Sequence, residues 1–243
     1  MPTQATIQSK IWLGYGKAAK VLGTPYSFYH QIIPSYMLTS DGHRMQLVDG
    51  SGDMVESGSL IPGSSPLLGT AYQSVNVSLN AEDMKYQRPN KWGKPSWYAL
   101  FDATGAKAGD YFVGAQGTFF VAGLQPLLPI LAVECNRSVT VLRSQVITQV
   151  GASSYSGKTE TNEISLMENW PCSILQGPKG EKDEVNLPGD TRSPWWVVLL
   201  PYYSGCRIKT SDVLEDDIGR RLTCSSVEQT DLGYKITAQQ ATS

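Results

Sequence analysis

The sequence predicts a mainly β protein: two tandem small barrel or sandwich units behind an N-terminal helix and a long arm. Three observations carry this. The middle and the C-terminal third present the same signals in the same order. Pro95-Ser96-Trp97-Tyr98-Ala99-Leu100 leads to Gly109-Asp110 and Gly117, as Pro194-Trp195-Trp196-Val197-Val198-Leu199 leads to Ser211-Asp212 and Gly219. Aromatic and β-branched runs alternate with turn residues, and 23 Gly and 14 Pro in 243 residues mean many turns without reaching a disordered composition. Only one segment has a helical period. A β-rich unit written twice builds architecture twice, which favours binding or assembly over a single catalytic pocket.

Taken in order, residues 1–70 hold the helix and the arm. Ile7, Ile11, Ala18, Val21 and Leu22 recur at helical spacing from Gln4 to Gly23, with Gly23-Thr24-Pro25 as a stop; Gly14 and Gly16 weaken the helix. From Asp41 to Thr70 the chain is crowded with Gly, Ser and Pro, predicting a surface excursion suited to draping over a neighbouring subunit. The first β unit occupies 71–143. It comprises the alternating strand Ser74–Leu79, a polar loop Asn80–Lys94, the aromatic strand Trp97–Phe101, a hairpin of 110–113 with 118–122, and a closing strand Ser138–Leu142. A Gly/Ser-rich linker spans 144–162. The second unit, 163–243, repeats the series with Trp170–Leu175, the loop Gln176–Ser193, Trp195–Leu200, a hairpin of 212–214 with 220–224, and Tyr234–Ala238.

Composition narrows the function classes. With 20 Lys and Arg against 22 Asp and Glu the net charge is −2, so no broad cationic surface for sequence-specific nucleic acid is expected. Cys135, Cys172, Cys206 and Cys224 form no C-x-x-C pair and read as buried or free thiols of a reducing compartment. The longest apolar stretch, Phe119 to Val133, is broken by Gly123, Gln125, Pro126 and Pro129; no membrane partner is expected.

Candidate chemistry is sparse. Gly14-Tyr15-Gly16-Lys17-Ala18-Ala19 fits the G-x-G-x-x-A fingerprint, but no βαβ unit surrounds it, so no nucleotide cofactor is expected. His30 and His43 are the only histidines, no G-x-S-x-G elbow occurs and no metal-ligand spacing is present. The acidic clusters at 82–83, 181–184 and 215–217 read as solvated loops. Asp110 and Asp212 invite a catalytic role because they recur. An Asp before a strand with a Gly seven residues on is also the turn chemistry that sets a hairpin's register, and recurrence in two units favours scaffold. Trp97, Trp195 and Trp196 read as core or interface anchors, with a sugar-stacking platform as the alternative. The expectation is a non-enzyme with no catalytic, cofactor or metal residues. Trp97, Asp110, Gly117, Trp195, Trp196, Asp212 and Gly219 are its structural or interface residues.

The ending of the second unit resembles a known pattern. Ile208 to Leu214, then Gly219 to Thr223, then Asp231 to Ala238 resembles the tail-end of small β-barrel connector proteins of tailed bacteriophages. Gly14–Ala19, Asn80–Met84, Arg88–Lys91, Leu187–Asp190 and Arg192–Trp196 are similar to segments of phage virion proteins. The resemblance implies a virion protein made in the bacterial host cytoplasm, forming a homo-oligomeric ring with other connector or tail proteins as partners. A carbohydrate- or receptor-binding tail module is the alternative. Two units and a long N-terminal arm depart from the small connectors.

Overall fold

The computed structural model describes residues 3–31, 36–38, 44–46, 63–81, 93–144, 163–177 and 195–240. Helix α1 (Gln4–Leu22) begins where the Thr3 hydroxyl accepts the Thr6 N–H at 3.4 Å. It ends where the Gly23 N–H donates to the Ala19 carbonyl at 2.8 Å. A Cβ on Gly23 would lie 2.6 Å from the Ala19 and Val77 oxygens, so close approach to the sheet demands glycine there. Gly16 likewise lets the helix touch Asp102. Trp12 and Tyr15 rest against the first barrel's core. Because Gly14 and Gly16 both lie inside α1, the G-x-G-x-x-A match is helical throughout and has no preceding strand.

Beyond α1 lie fourteen strands among the described residues. They are β1 (Thr24–Tyr29), β2 (Tyr36–Leu38), β3 (Arg44–Gln46), β4 (Gln73–Ala81), β5 (Ser96–Leu100), β6 (Tyr111–Gly114), β7 (Gly117–Gly123), β8 (Ile130–Cys135), β9 (Arg137–Ser144), β10 (Glu163–Gln176), β11 (Trp195–Leu200), β12 (Val213–Asp216), β13 (Arg221–Thr230) and β14 (Gly233–Gln240). They form two closed six-stranded barrels, ordered β1-β4-β5-β8-β7-β6 and β9-β10-β11-β14-β13-β12, with β2 and β3 as a separate pair. Replacing each strand of the first barrel by its counterpart in the second gives the same cyclic order. The registers agree too: Trp97 and Trp196 lie opposite Ala132 and Ala238, and Ser78 and Ser173 opposite Leu100 and Leu199. The predicted duplication is therefore a duplication of fold.

The strand pairing places the boundary between the units elsewhere than the sequence predicts. The strand at 138–142, expected to close the first unit, is part of β9 and pairs with β10 and β12. The first barrel is closed instead by β1, which pairs with both β4 and β6. Only Asn136 separates β8 from β9. A barrel needs both its edges joined, and the aromatic run Tyr26-Ser27-Phe28-Tyr29 supplies the missing strand. The expected linker 144–162, apart from Ser144 at the end of β9, and most of the loops 80–94 and 176–193 lie outside the described residues.

Alternation along β6, β7 and β8 divides the first barrel's side chains between two cores. Phe112, Phe119, Val121 and Ala132 pack inside it with Tyr26 and Phe28. Their neighbours Tyr111, Phe120, Ala122 and Val133 pack with the second barrel's Trp170, Cys172 and Leu200. The fully buried Tyr111 hydroxyl donates to the Pro171 carbonyl at 2.7 Å. Asn136 locks the junction, donating through Nδ2 to the Ile174 carbonyl at 2.9 Å and accepting the Ile174 N–H at 2.8 Å.

The end of the arm corrects a second expectation. Gly63 to Pro66, predicted to be surface excursion, are buried. The Gly63 carbonyl accepts from Trp170 Nε1 at 2.6 Å and from the Glu168 N–H at 2.7 Å, and its N–H donates to the Tyr203 hydroxyl at 3.2 Å. Its φ of +88° and a Cβ position 2.3 Å from the Leu166 oxygen restrict the site to glycine. A connection between two strands of the first barrel thus docks on the second.

Candidate functional site

The candidate site is a pair of matching aspartate turns, one in each barrel. Before β6, the Asp110 N–H donates to the Lys107 carbonyl at 3.1 Å, and the Asp110 carboxylate accepts the Lys107 N–H at 2.7 Å. Before β12, the Asp212 N–H donates to the Lys209 carbonyl at 3.2 Å, and its carboxylate accepts the Lys209 N–H at 2.7 Å. Both carbonyls accept across the hairpin, from Val121 at 2.8 Å and Cys224 at 2.9 Å. The preceding residue is left-handed in each, Gly109 at φ +92° and Ser211 at φ +74°. Glycine adopts this backbone freely, whereas Ser211 does so at a cost of about 1 kcal/mol.

Each carboxylate is buried and has a second partner at the first strand of its barrel, His30 just past the end of β1 and Arg143 within β9. His30 Nδ1 lies 2.9 Å from Asp110 Oδ1, and the Tyr72 hydroxyl donates to Asp110 Oδ2 at 3.3 Å. The His30 and Tyr72 rings are stacked at 3.6 Å. Arg143 grips Asp212 with two forked bonds of 2.9 Å, from Nε and Nη2, and Nη2 also donates to the Arg207 carbonyl at 2.7 Å. Tyr29 lies opposite Tyr111 and Leu142 opposite Val213, so His30 and Arg143 occupy the same position one residue further along. A buried carboxylate needs such donors. The bonds to Asp212 raise the Arg143 pKa above its ordinary value, while burial first and the Asp110 charge second raise that of Tyr72.

The remaining predicted residues serve the same scaffold. Gly117 (φ +123°) opens β7 opposite Gly114, and Gly219 (φ +80°) lies in the turn between β12 and β13, both with left-handed backbone. Trp97 is half-buried against the first core and donates through Nε1 to Glu134 at 2.9 Å. Trp196 is half-buried against the second core, with the Arg220 guanidinium 4.3 Å above its ring. Trp195, also half-buried, opens β11 opposite Gln239. The structure brings Asp110 and Asp212 to equivalent places at separate turns rather than into one site. None of the four cysteines forms a disulfide, and Cys172 and Cys224 are buried. Burial raises the pKa of Cys135 and Cys172, and pushes Cys206 up to about 12.

Sequence reasoning passed over His30, Tyr72 and Arg143, and also Gly63, Trp170 and Tyr203. The turn itself carried a readable signal, because Lys-x-x-Asp stands at both Lys107–Asp110 and Lys209–Asp212. Chemically, the His30–Asp110 pair can move a proton, but the equivalent place in the second barrel holds an arginine, which cannot. What the two places share is the holding of a buried carboxylate. Among the described residues no group of three His, Cys, Asp or Glu side chains could hold a metal ion, and no helix is long and apolar enough to cross a membrane. No protein-family model, curated protein or solved structure matches the chain.

Proposed function

We propose that this chain is a structural virion protein of a tailed phage that assembles as a symmetric ring in the head-to-tail connector or tail. One observation carries the reading: the recurrent polar residues are absorbed by the scaffold in both barrels at matching positions, which favours a structural role over a catalytic one. The resemblance of Ile208–Ala238 to connector endings supplies the setting. Identical subunits form a ring through heterologous contacts when the rotation closes. The tryptophans support a sugar-stacking platform less well, since Trp97 and Trp196 pack against the barrel cores.

The test is electron microscopy of phage particles produced with and without this chain. The expected result is a ring of its density at the connector or in the tail, with particles lacking it failing to join head and tail. Intact, infectious particles without the chain would overturn the reading.

A further inference from the structure

The β13–β14 hairpin is longer than its counterpart in the first barrel. In each barrel a bulge interrupts the hairpin, between Val121 and Gly123 in β7 and between Cys224 and Ser226 in β13. β7 ends there, whereas β13 runs on through Ser226–Thr230, paired to Thr237–Gly233 of β14. Barrel closure does not need this extension, since β12 pairs with β13 only from Arg221 to Thr223. The extension is held at its tip: Gln125 Nε2 of the first barrel donates to Asp231 at 2.9 Å, and Leu232 lies beside Gly123.

The outer edge of the extension has no described strand beside it. Cys224 turns both backbone groups toward β12, its N–H donating to the Asp212 carbonyl at 2.9 Å and its carbonyl accepting the Ser211 N–H at 2.8 Å. The bulge adds one residue and resets the alternation, so Ser226, Glu228 and Thr230 turn theirs to β14, and Val227 and Gln229 turn theirs outward. No described residue bonds to that side, and from Ser225 to Thr230 every residue except the half-buried Val227 is exposed. Open edges commonly carry a lysine, a proline or a bulge that blocks pairing; past the bulge, the segment to Thr230 has none of these.

Backbone N–H and C=O groups at alternate residues of an open edge fit one kind of ligand, an extended polypeptide backbone. A second copy's β13 is a poor match. The antiparallel register that pairs Val227 with Gln229 in both directions sets Glu228 against the second copy's Glu228, with Cα atoms about 4.5 Å apart. Glu228 has Lys235 of β14 3.9 Å away on one side, and a basic residue on the other completes the row. On the opposite face Val227 packs against the second barrel's core, which suits apolar neighbours. We propose that β13 accepts a further strand, an extended segment of a different polypeptide that bonds to Val227 and Gln229, with a basic side chain opposite Glu228 and apolar residues before and after it. This contact does not depend on the ring.

Amide hydrogen exchange by NMR on the isotope-labelled full chain tests it, with a cyclic β-hairpin peptide whose outer strand reads Thr-Val-Arg-Val-Thr as the probe. In the free chain the Val227 and Gln229 amides exchange fast and those of Glu228 and Thr230 slowly. Millimolar probe slows the first pair at least about tenfold and leaves the second pair unchanged. Gln229→Pro removes an N–H that serves no bond among the described residues; it keeps the melting temperature and binds the probe at least about tenfold more weakly. A probe N-methylated at both valines repeats the result without altering the protein. Glu in place of the probe's Arg weakens binding at least about threefold, and equal binding overturns the basic assignment. Fast exchange at Val227 and Gln229 in millimolar probe overturns the proposal, as does binding that neither the proline nor the methyl groups weaken. Protection that instead rises with the concentration of the chain alone makes a second copy the occupant and overturns it as well.

Discussion

The two barrels share strand order, register and turn chemistry, yet their outward faces have gone separate ways. On β6, β7 and β8 the outward positions Tyr111, Phe120, Ala122 and Val133 are apolar and buried against the second barrel. The matching positions on β12, β13 and β14 are Val213, Thr223, Ser225 and Gln239, and the last three retain solvent exposure. The inward sets, Phe112, Phe119, Val121 and Ala132 against Leu214, Leu222, Cys224 and Ala238, stay buried and apolar. Closing a barrel constrains only the inward set. The outward set is free to become an interface in one copy and a solvated face in the other.

The largest effect should come from making the first barrel's face resemble the second's. Phe120→Thr with Val133→Gln removes apolar area from the joint and buries polar groups there. It should cost at least about 4 kcal/mol in denaturant unfolding. Two separate transitions should then replace one, whereas a single unchanged transition would mean the barrels are not coupled through this face.

Next in size is the contrast between the aspartates. Asp212→Ala leaves the forked Arg143 and the Lys209 N–H without their acceptor and should cost about 3 kcal/mol. Asp110→Ala should cost less, about 1 to 2 kcal/mol, because His30 is 39% exposed and water can replace its partner. Urea midpoints of the two variants check the order.

Alkaline pH should expose the joint between the barrels. Burial raises the Tyr111 pKa well above its ordinary value and pushes Tyr203 and Tyr234 up to about 12. The folded chain thus holds protons that the unfolded chain releases near pH 10. This stability is fully present below pH 10 and declines as pH rises toward 12. Tyrosinate absorbance at 295 nm should follow in step with loss of near-UV circular dichroism. Ionisation of these three without unfolding would contradict the assignment.

The smallest effect should be a gain. Ser211→Gly gives the second turn the residue that the first already has at Gly109 and should stabilise by about 0.5 to 1 kcal/mol, read as a raised melting temperature.

These differences also explain what was legible in the sequence. Trp97 with Trp196, Asp110 with Asp212 and Gly117 with Gly219 could be matched because each lies within one hairpin or strand, where local spacing is conserved by turn geometry. β1 escaped notice because Thr24-Pro25 reads as a helix stop, and β9 was given to the wrong barrel because sequence neighbours usually pair. His30 and Arg143 are partners of the aspartates across 80 and 69 residues, a relation created by barrel closure and carried by no local motif. The docking of Gly63 is of the same kind, 107 residues from Trp170.

Whether the recurring aspartates are scaffold is decided by a pair of double-mutant cycles on stability, Arg143→Ala with Asp212→Ala and His30→Ala with Asp110→Ala. Favourable coupling is expected in both, above about 1.5 kcal/mol for the arginine pair and smaller for the histidine pair. Coupling near zero in both cycles, with the single variants as stable as the wild type, would contradict the scaffold role.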